Sequence, residues 1–217
     1  MNTRIVPGFQ NNNVPAVHVG SYAVERRILD NHAKYSLNSE MQAKILYIIS
    51  GTATLGKHRG FRAIYLPPGT TYQLENTTVS PIEYLIISRT RGDNHSFNCS
   101  LVEPSLLVRC GSEEDLFFDN VAICIRNAYH PELKKEVLPI KFADEEIEPH
   151  QKSEYIAHSI HTHQFILSGK GQLKSSTGNK IDVQANHYFT ATPDNKWKLK
   201  NTGNTAMQYI TIYDGPL

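Results

Sequence analysis

Hydrophobic and polar positions alternate along much of this chain with a period of two. Trp197-Lys198-Leu199-Lys200 sets apolar residues on one side of an extended segment and lysines on the other, the pattern of a half-buried strand. Short runs rich in β-branched and aromatic residues recur as KILYIIS (Lys44–Ser50), RAIYLP (Arg62–Pro67), TYQLEN (Thr71–Asn76) and IEYLIIS (Ile82–Ser88). A second set follows in QFILSG, QLKSS, KIDVQ, HYFTAT, WKLKN and MQYITIY, between Gln164 and Tyr213. Gly51, Gly56, Gly60, Pro67-Pro68-Gly69 and Pro81 punctuate the first set, and STGN, PDN and TGN the second. Strands this short and regular predict a sandwich or barrel. Helix is expected in two places only: Pro131–Leu138, with Pro in its first turn, and Ser112–Phe118, capped by Ser112. No apolar run approaches the roughly 20 residues that a membrane helix needs.

The pattern repeats. YIISGTATL (Tyr47–Leu55) returns as FILSGKGQL (Phe165–Leu173), and YQLENTTVSPIEYLII (Tyr72–Ile87) returns without a gap as WKLKNTGNTAMQYITI (Trp197–Ile212). The second pair keeps Leu74/Leu199, Asn76/Asn201, Thr77/Thr202, Tyr84/Tyr209 and Ile87/Ile212 in step. The two blocks come in the same order in both halves, so the chain reads as a duplication. The expected domains are 1–100 and 101–217, with the polar stretch Ser88–Asn98 as the linker.

Composition narrows the function classes. The chain has 217 residues, a net charge of +1 and 40% hydrophobic residues. That is enough apolar material for a core and is unlike a disordered chain. The balanced, dispersed charge gives no basic face for nucleic acid or an anionic membrane. Cys99, Cys110 and Cys124 are odd in number and lack C-x-x-C spacing, which points to a reducing, cytoplasmic setting. The N-terminus shows no basic region followed by an apolar stretch, so no secretory signal is expected. The sequons at Asn76, Asn94 and Asn98 then carry no sugar. The irregular segment Arg4–Val19 is expected to lie along a barrel. No phosphate-binding glycine loop and no nucleophile elbow is present.

These residues resemble the cupin superfamily in its two-domain, bicupin form. In that family a first motif, H-x-H then Glu, closes on a Gly, here matched by Gly51 and Gly169. A second motif runs through a Pro-rich turn to a His and an Asn four residues on. LPPGTTYQLEN and TPDNKWKLKN match it, with Asn76 and Asn201 at the final Asn. The resemblance implies an all-β fold of two tandem double-stranded β-helix (jelly-roll) barrels with few short helices. It also implies a divalent metal held by three motif-one residues and the motif-two His, and a tendency to form homodimers. Counted back from the closing glycines, the motif-one positions hold Asn38, Glu40 and Lys44 in the first copy and Ile156, His158 and Thr162 in the second. The motif-two His is replaced by Tyr72 and by Trp197.

Beside that register lies a cluster of histidines. His150, Glu154, His158, His161 and His163 fall within EPHQKSEYIAHSIHTHQF. Residues two apart on a strand share a face, so His161 and His163 can point at one ion. Neutral imidazoles suit Fe, Zn, Mn or Ni, with Glu154 or His150 as a further ligand. Shortening the preceding loop would make His161-Thr162-His163 the H-x-H itself, a register that the count from Gly169 opposes. Trp197 reads as a plug of the barrel or as part of a ligand site. Lys44, Glu40 and Tyr72 together make a polar pocket in the first copy, with Tyr72 and Glu40 as candidate acid–base groups.

Two function classes follow. One is an enzyme acting on a small polar metabolite with a divalent metal in the second barrel; the resemblance implies dioxygenase, isomerase or lyase chemistry. The other is a metal-free cupin that binds or isomerises a small organic ligand such as a sugar, or binds it without turnover.

Overall fold

The computed structural model describes residues 16–38, 44–56, 58–66, 71–89, 105–107, 129–130, 135–136, 141–193 and 195–214. Among these residues the chain is all-β, without a helix. The segment Lys135–Glu136 lies inside an expected helix but is a strand, β12, paired with β11 (Tyr129–His130). A helix of under about 12 residues is marginal by itself, and cross-strand pairing satisfies the same backbone groups. The other expected helix, Ser112–Phe118, lies outside the described residues. So do Glu40, residues 4–15, Asn94, Asn98 and the three cysteines. No helix among the described residues is long and apolar enough to cross a membrane.

The described residues fall into two compact units, one up to residue 136 and one from residue 141. In the first unit a six-stranded antiparallel sheet runs β1 (Val17–Val19), β2 (Tyr22–Leu29), β9 (Ile82–Arg89), β4 (Lys44–Ser50), β7 (Ala63–Leu66), β10 (Ser105–Leu107). A second sheet runs β3 (Lys34–Asn38), β8 (Thr71–Glu75), β5 (Thr54–Leu55), β6 (His58–Arg59). The alternate residues Leu46, Ile48, Ile82, Tyr84 and Ile86 of the first sheet meet Leu37, Leu55 and Leu74 of the second in one core. Period-two patterning thus becomes a closed apolar interior.

The other unit repeats this plan. One sheet runs β13 (Lys141–Ile147), β19 (Met207–Asp214), β14 (His161–Ser168), β17 (Tyr188–Ala191). The other runs β16 (Lys180–Gln184), β15 (Lys170–Ser175), β18 (Trp197–Asn201). The order β13-β19-β14-β17 reproduces β2-β9-β4-β7. Isolated bridges Lys152–Lys200 and Ile156–Trp197 stand where β3 pairs with β8. Ile147, Ile166, Leu173, Val183, Phe189, Leu199 and Met207 fill the core.

Two local devices recur in both copies. The ladder slips at Ile48/Ser50 and at Ile166/Ser168. Each slip runs into a glycine of positive φ, Gly51 at 87° and Gly169 at 84°. A Cβ on Gly51 would sit 2.6 Å from Ile82 Cγ2, and one on Gly169 2.9 Å from Met207 Cα, so both bulges need a residue without a side chain. The buried motif-two asparagines tie the sheets together. Asn76 Nδ2 donates to the carbonyls of Leu29, Asp30 and Ser80, and its Oδ1 accepts from the Thr78 amide. Asn201 Nδ2 donates to Ile147 and Thr205, and its Oδ1 accepts from Gly203. With its amide nitrogen engaged and buried, Asn76 offers no attachment point for a sugar.

Candidate functional site

The inward face of the second barrel follows from strand alternation. Ile147, Ile166, Phe189, Ala191 and Tyr209 belong to its core, so residues two along on the same strands share that face. This places Thr162 and Gln164 of β14, Thr211 and Tyr213 of β19, and Glu145 of β13 inside. The register sets them in rows: Tyr209 lies between Glu145 and Ile166, Thr211 between Ala143 and Gln164, and Tyr213 opposite Thr162. Thr211 Oγ1 donates to Glu145 at 2.9 Å, and the Tyr209 hydroxyl is also hydrogen-bonded to Glu145. Burial, with the Glu145 charge, keeps both Tyr209 and Tyr213 protonated far above the usual phenol range. Gln164 Nε2 donates to Thr162 Oγ1 at 2.8 Å.

His158 completes this interior. Its ring meets Tyr213 edge-on at 5.2 Å. Burial holds its pKa below the usual 6.5, so the imidazole is neutral at pH 7 and able to take a proton. The floor is apolar. Ile156 and Trp197 exchange backbone hydrogen bonds at 2.7 and 3.0 Å, and the Trp197 ring packs edge-on against Phe189 at 5.1 Å. Two buried polar atoms of this interior, Gln164 Oε1 and Trp197 Nε1, have no hydrogen-bond partner among the described residues. Each such group costs about 1–3 kcal/mol if left unmet.

The cupin resemblance puts metal ligands at Ile156, His158, Thr162 and Trp197. Only His158 carries a side chain that ligates readily, and Trp197 fills the space at 1% exposure. The residues of this barrel do not fit a divalent metal at those positions, which needs several donors around one point. The His cluster does not supply them elsewhere. Thr162 faces inward, so His161 and His163 lie on the opposite face of β14 from it and from His158. His163 is buried there, Nδ1 at 2.9 Å from the Thr190 hydroxyl and Nε2 at 3.5 Å from Asp214. Burial lowers its pKa, against the opposing pull of Asp214. His161 is exposed opposite Asp214. His150 occupies a turn at φ 62°, and it and Glu154 are exposed. Among the described residues no group of three or more His, Cys, Asp or Glu is placed to hold a metal ion.

In the first barrel Leu37, not Asn38, faces inward opposite Tyr72; Asn38 is exposed. Tyr72 packs half-buried against the core. Lys44 shares the inward face of β4 with Leu46 and Ile48, and its ammonium donates to the Asn38 carbonyl. A cation there opposes metal binding. The charged pair of this interior is Arg27 and Glu25, two apart on β2, with Arg27 Nε at 2.9 Å from the carboxylate. The Arg27 guanidinium also lies 4.9 Å above the Tyr35 ring.

Glu145, Gln164, Thr211 and Tyr213 escaped the sequence reading. Alternation in MQYITIY, phased by the repeated Tyr84/Tyr209, marks Tyr209, Thr211 and Tyr213 as one face. That phase carries across the sheet to Glu145 and Gln164 only through the strand pairing.

A scan of protein-family models gives no match to this sequence, and neither does a search of curated proteins. Solved structures do match. AerE from Microcystis aeruginosa is 12% identical at a TM-score of 0.61, over 97% of this chain and 96% of that one. Oxalate decarboxylase from Lactobacillus farciminis, in a formate complex, is 13% identical at 0.58, over 92% of this chain and 78% of that one. A variant of the Bacillus subtilis oxalate decarboxylase is 16% identical at 0.57, over 90% and 69%; the Bacillus enzyme is described with Mn(II) centres. With the repeated strand order, the bulge glycines and the motif-two asparagines, these similarities establish that the chain has the two-barrel fold of the cupin superfamily.

Proposed function

We infer that the second barrel binds a small polar organic molecule without a metal and acts on it by proton transfer through His158. The observation that carries this reading is the identity of the four ligand positions: Ile156 and Trp197 close the floor, Thr162 bonds to Gln164, and a single imidazole remains. Around that imidazole stand groups suited to acid–base work. His158 is neutral and half-buried, so it can accept a proton. Tyr213 is held protonated beside it and can donate a hydrogen bond. Glu145, fixed by Thr211 and Tyr209, contributes a negative charge inside a low-dielectric wall, where its field is strong. Such a set serves redox-neutral chemistry, the shift of a proton between neighbouring atoms of one molecule. The metal-dependent reading through His158, His161 and His163 has less support, because His161 and His163 lie on the face of β14 opposite Thr162 and the interior that His158 lines.

Thermal melting tests the proposal. A metal held at 100 times its Kd adds about 2.7 kcal/mol, which moves the midpoint by several degrees for a chain of this size. Equal melting temperatures in EDTA and in excess Mn(II), Fe(II) or Zn(II) are expected. A rise of several degrees with one of these ions, reversed by EDTA, contradicts the reading.

A further inference from the structure

We propose that the outer face of the sheet β16-β15-β18 binds single-stranded nucleic acid through its lysines, without regard to base sequence. The balanced charge of the whole chain, +1 over 217 residues, predicts no basic face, but the strand register builds a local one. Leu173, Val183, Trp197 and Leu199 of these strands belong to the core. The positions that alternate with them therefore point outward: Lys170, Gln172 and Lys174 on β15, Lys180, Asp182 and Gln184 on β16, Lys198 and Lys200 on β18. Pairing sets Lys198 opposite Lys174 and Lys174 opposite Lys180, a row of ammonium groups across all three strands. The next row runs Lys152, Lys200, Gln172, Asp182, and Lys170 lies beyond it opposite Gln184. Lys152, Lys170, Lys180 and Lys200 are exposed.

The fold does not balance this charge. Among the described residues none of these lysines is in an ion pair. Asp182 is the one carboxylate in the rows, and it accepts from Gln172 Nε2 at 3.1 Å; the exposed Glu154 stands on the flanking segment. Like charges directly opposite one another destabilise a sheet, so the row Lys198–Lys174–Lys180 costs the free protein stability that an anion laid along it restores. Lysines are hydrated point charges on flexible stems, which suits a phosphate backbone held without fixed geometry. At the β18 end of the row the Lys198 ammonium lies 4.6 Å over the ring of Tyr155, which is 42% exposed. An exposed ring beside a line of cations can stack a base while the backbone is held. An acidic peptide would leave that ring without a role. A membrane surface would draw on several apolar side chains, and Tyr155 is the one exposed large hydrophobic residue among the described residues of this unit.

Binding to the full-length protein tests this with three probes. They are a labelled oligothymidylate of about 20 nucleotides and a labelled polyglutamate peptide, both read by fluorescence anisotropy, and vesicles of phosphatidylserine and phosphatidylcholine in equal parts, read by co-sedimentation. The expected result is saturable binding that is tightest for the oligonucleotide, with log K falling against log salt by about 0.7 for each phosphate engaged. Lys174→Gln/Lys180→Gln should flatten that slope by about 1.4 and weaken binding at least about tenfold, without lowering the melting temperature, because opposed charges are relieved. Tyr155→Ala should weaken binding about tenfold and leave the salt slope unchanged. Lys34→Gln, in the other unit and paired with Glu75 at 2.8 Å, should change neither affinity nor slope. Equal or tighter binding of the peptide or the vesicles overturns the partner class. No binding of the oligonucleotide, or a slope that Lys174→Gln/Lys180→Gln leaves unchanged, overturns the proposed face.

Discussion

His158 and His163 carry the clearest residue-scale consequence. Both are neutral in the native state because burial disfavours their charged forms, so their pKa values lie below the usual 6.5. Once unfolded they return to about 6.5. Between the two values the unfolded chain binds protons that the native chain refuses, so stability falls as pH falls through that window. Above about pH 6.5 these groups contribute no slope. Urea unfolding from pH 7.5 down to pH 5 should show the decline beginning near 6.5, and His163→Gln should reduce the slope. Each histidine contributes at most about 1.4 kcal/mol per pH unit, and His163, with 4% side-chain exposure, should contribute more than His158. A flat profile, or a slope unchanged in His163→Gln, contradicts the assignment. The count back from Gly169 already sets Thr162 on one face and His161 and His163 on the other; what the count does not give is the burial of His163 between Thr190 and Asp214.

Strands and the glycines that close them were largely legible in the sequence, because a period of two is a local signal and the repeat phases it; the bulges at those glycines show only in the strand pairing. The ligand register was legible in one copy only. Leu37 pairs with Tyr72 in the first unit and Ile156 with Trp197 in the second, yet Leu37 stands 14 residues before Gly51 and Ile156 stands 13 before Gly169. A fixed count back from the two glycines therefore cannot land on matching positions in both copies, and it names Asn38 where Leu37 points inward. Glu145 was hidden for a related reason. Asp144-Glu145-Glu146 is a run of three acids, and only pairing with β19 selects the middle one to face Tyr209. The closing glycines are the most exacting positions at this scale. Gly169→Ala forces a Cβ to 2.9 Å from Met207 Cα at φ 84°, which should destabilise the protein by about 1–3 kcal/mol. Gly56→Ala also has positive φ but nothing within 4 Å, and should cost less. Equal melting temperatures for the two variants would show that the close approach at the bulge is not tight.

Across the whole molecule, one scaffold appears twice with two different interiors. The repeated Tyr84 and Tyr209 occupy matching places, yet the strand residue paired with Tyr84 is Arg27 and the one paired with Tyr209 is Glu145. The first barrel holds a part-buried guanidinium–carboxylate pair; the second holds a carboxylate and a neutral imidazole. Duplication explains the shared strand order and the shared asparagine ties, and the proposed acid–base chemistry follows the side chains in which the second copy differs. The central claim is that the second barrel works without a metal because Ile156, Thr162 and Trp197 stand where three ligands would be needed. The most direct test is the number of transition-metal equivalents bound after metal loading and gel filtration, for the natural chain and for Ile156→His/Thr162→Glu/Trp197→His. The account predicts less than about 0.1 equivalent in the natural chain and about one in the variant, whose four donors then surround one point. About one equivalent in the natural chain, lost in His158→Ala or in His163→Ala, would contradict it.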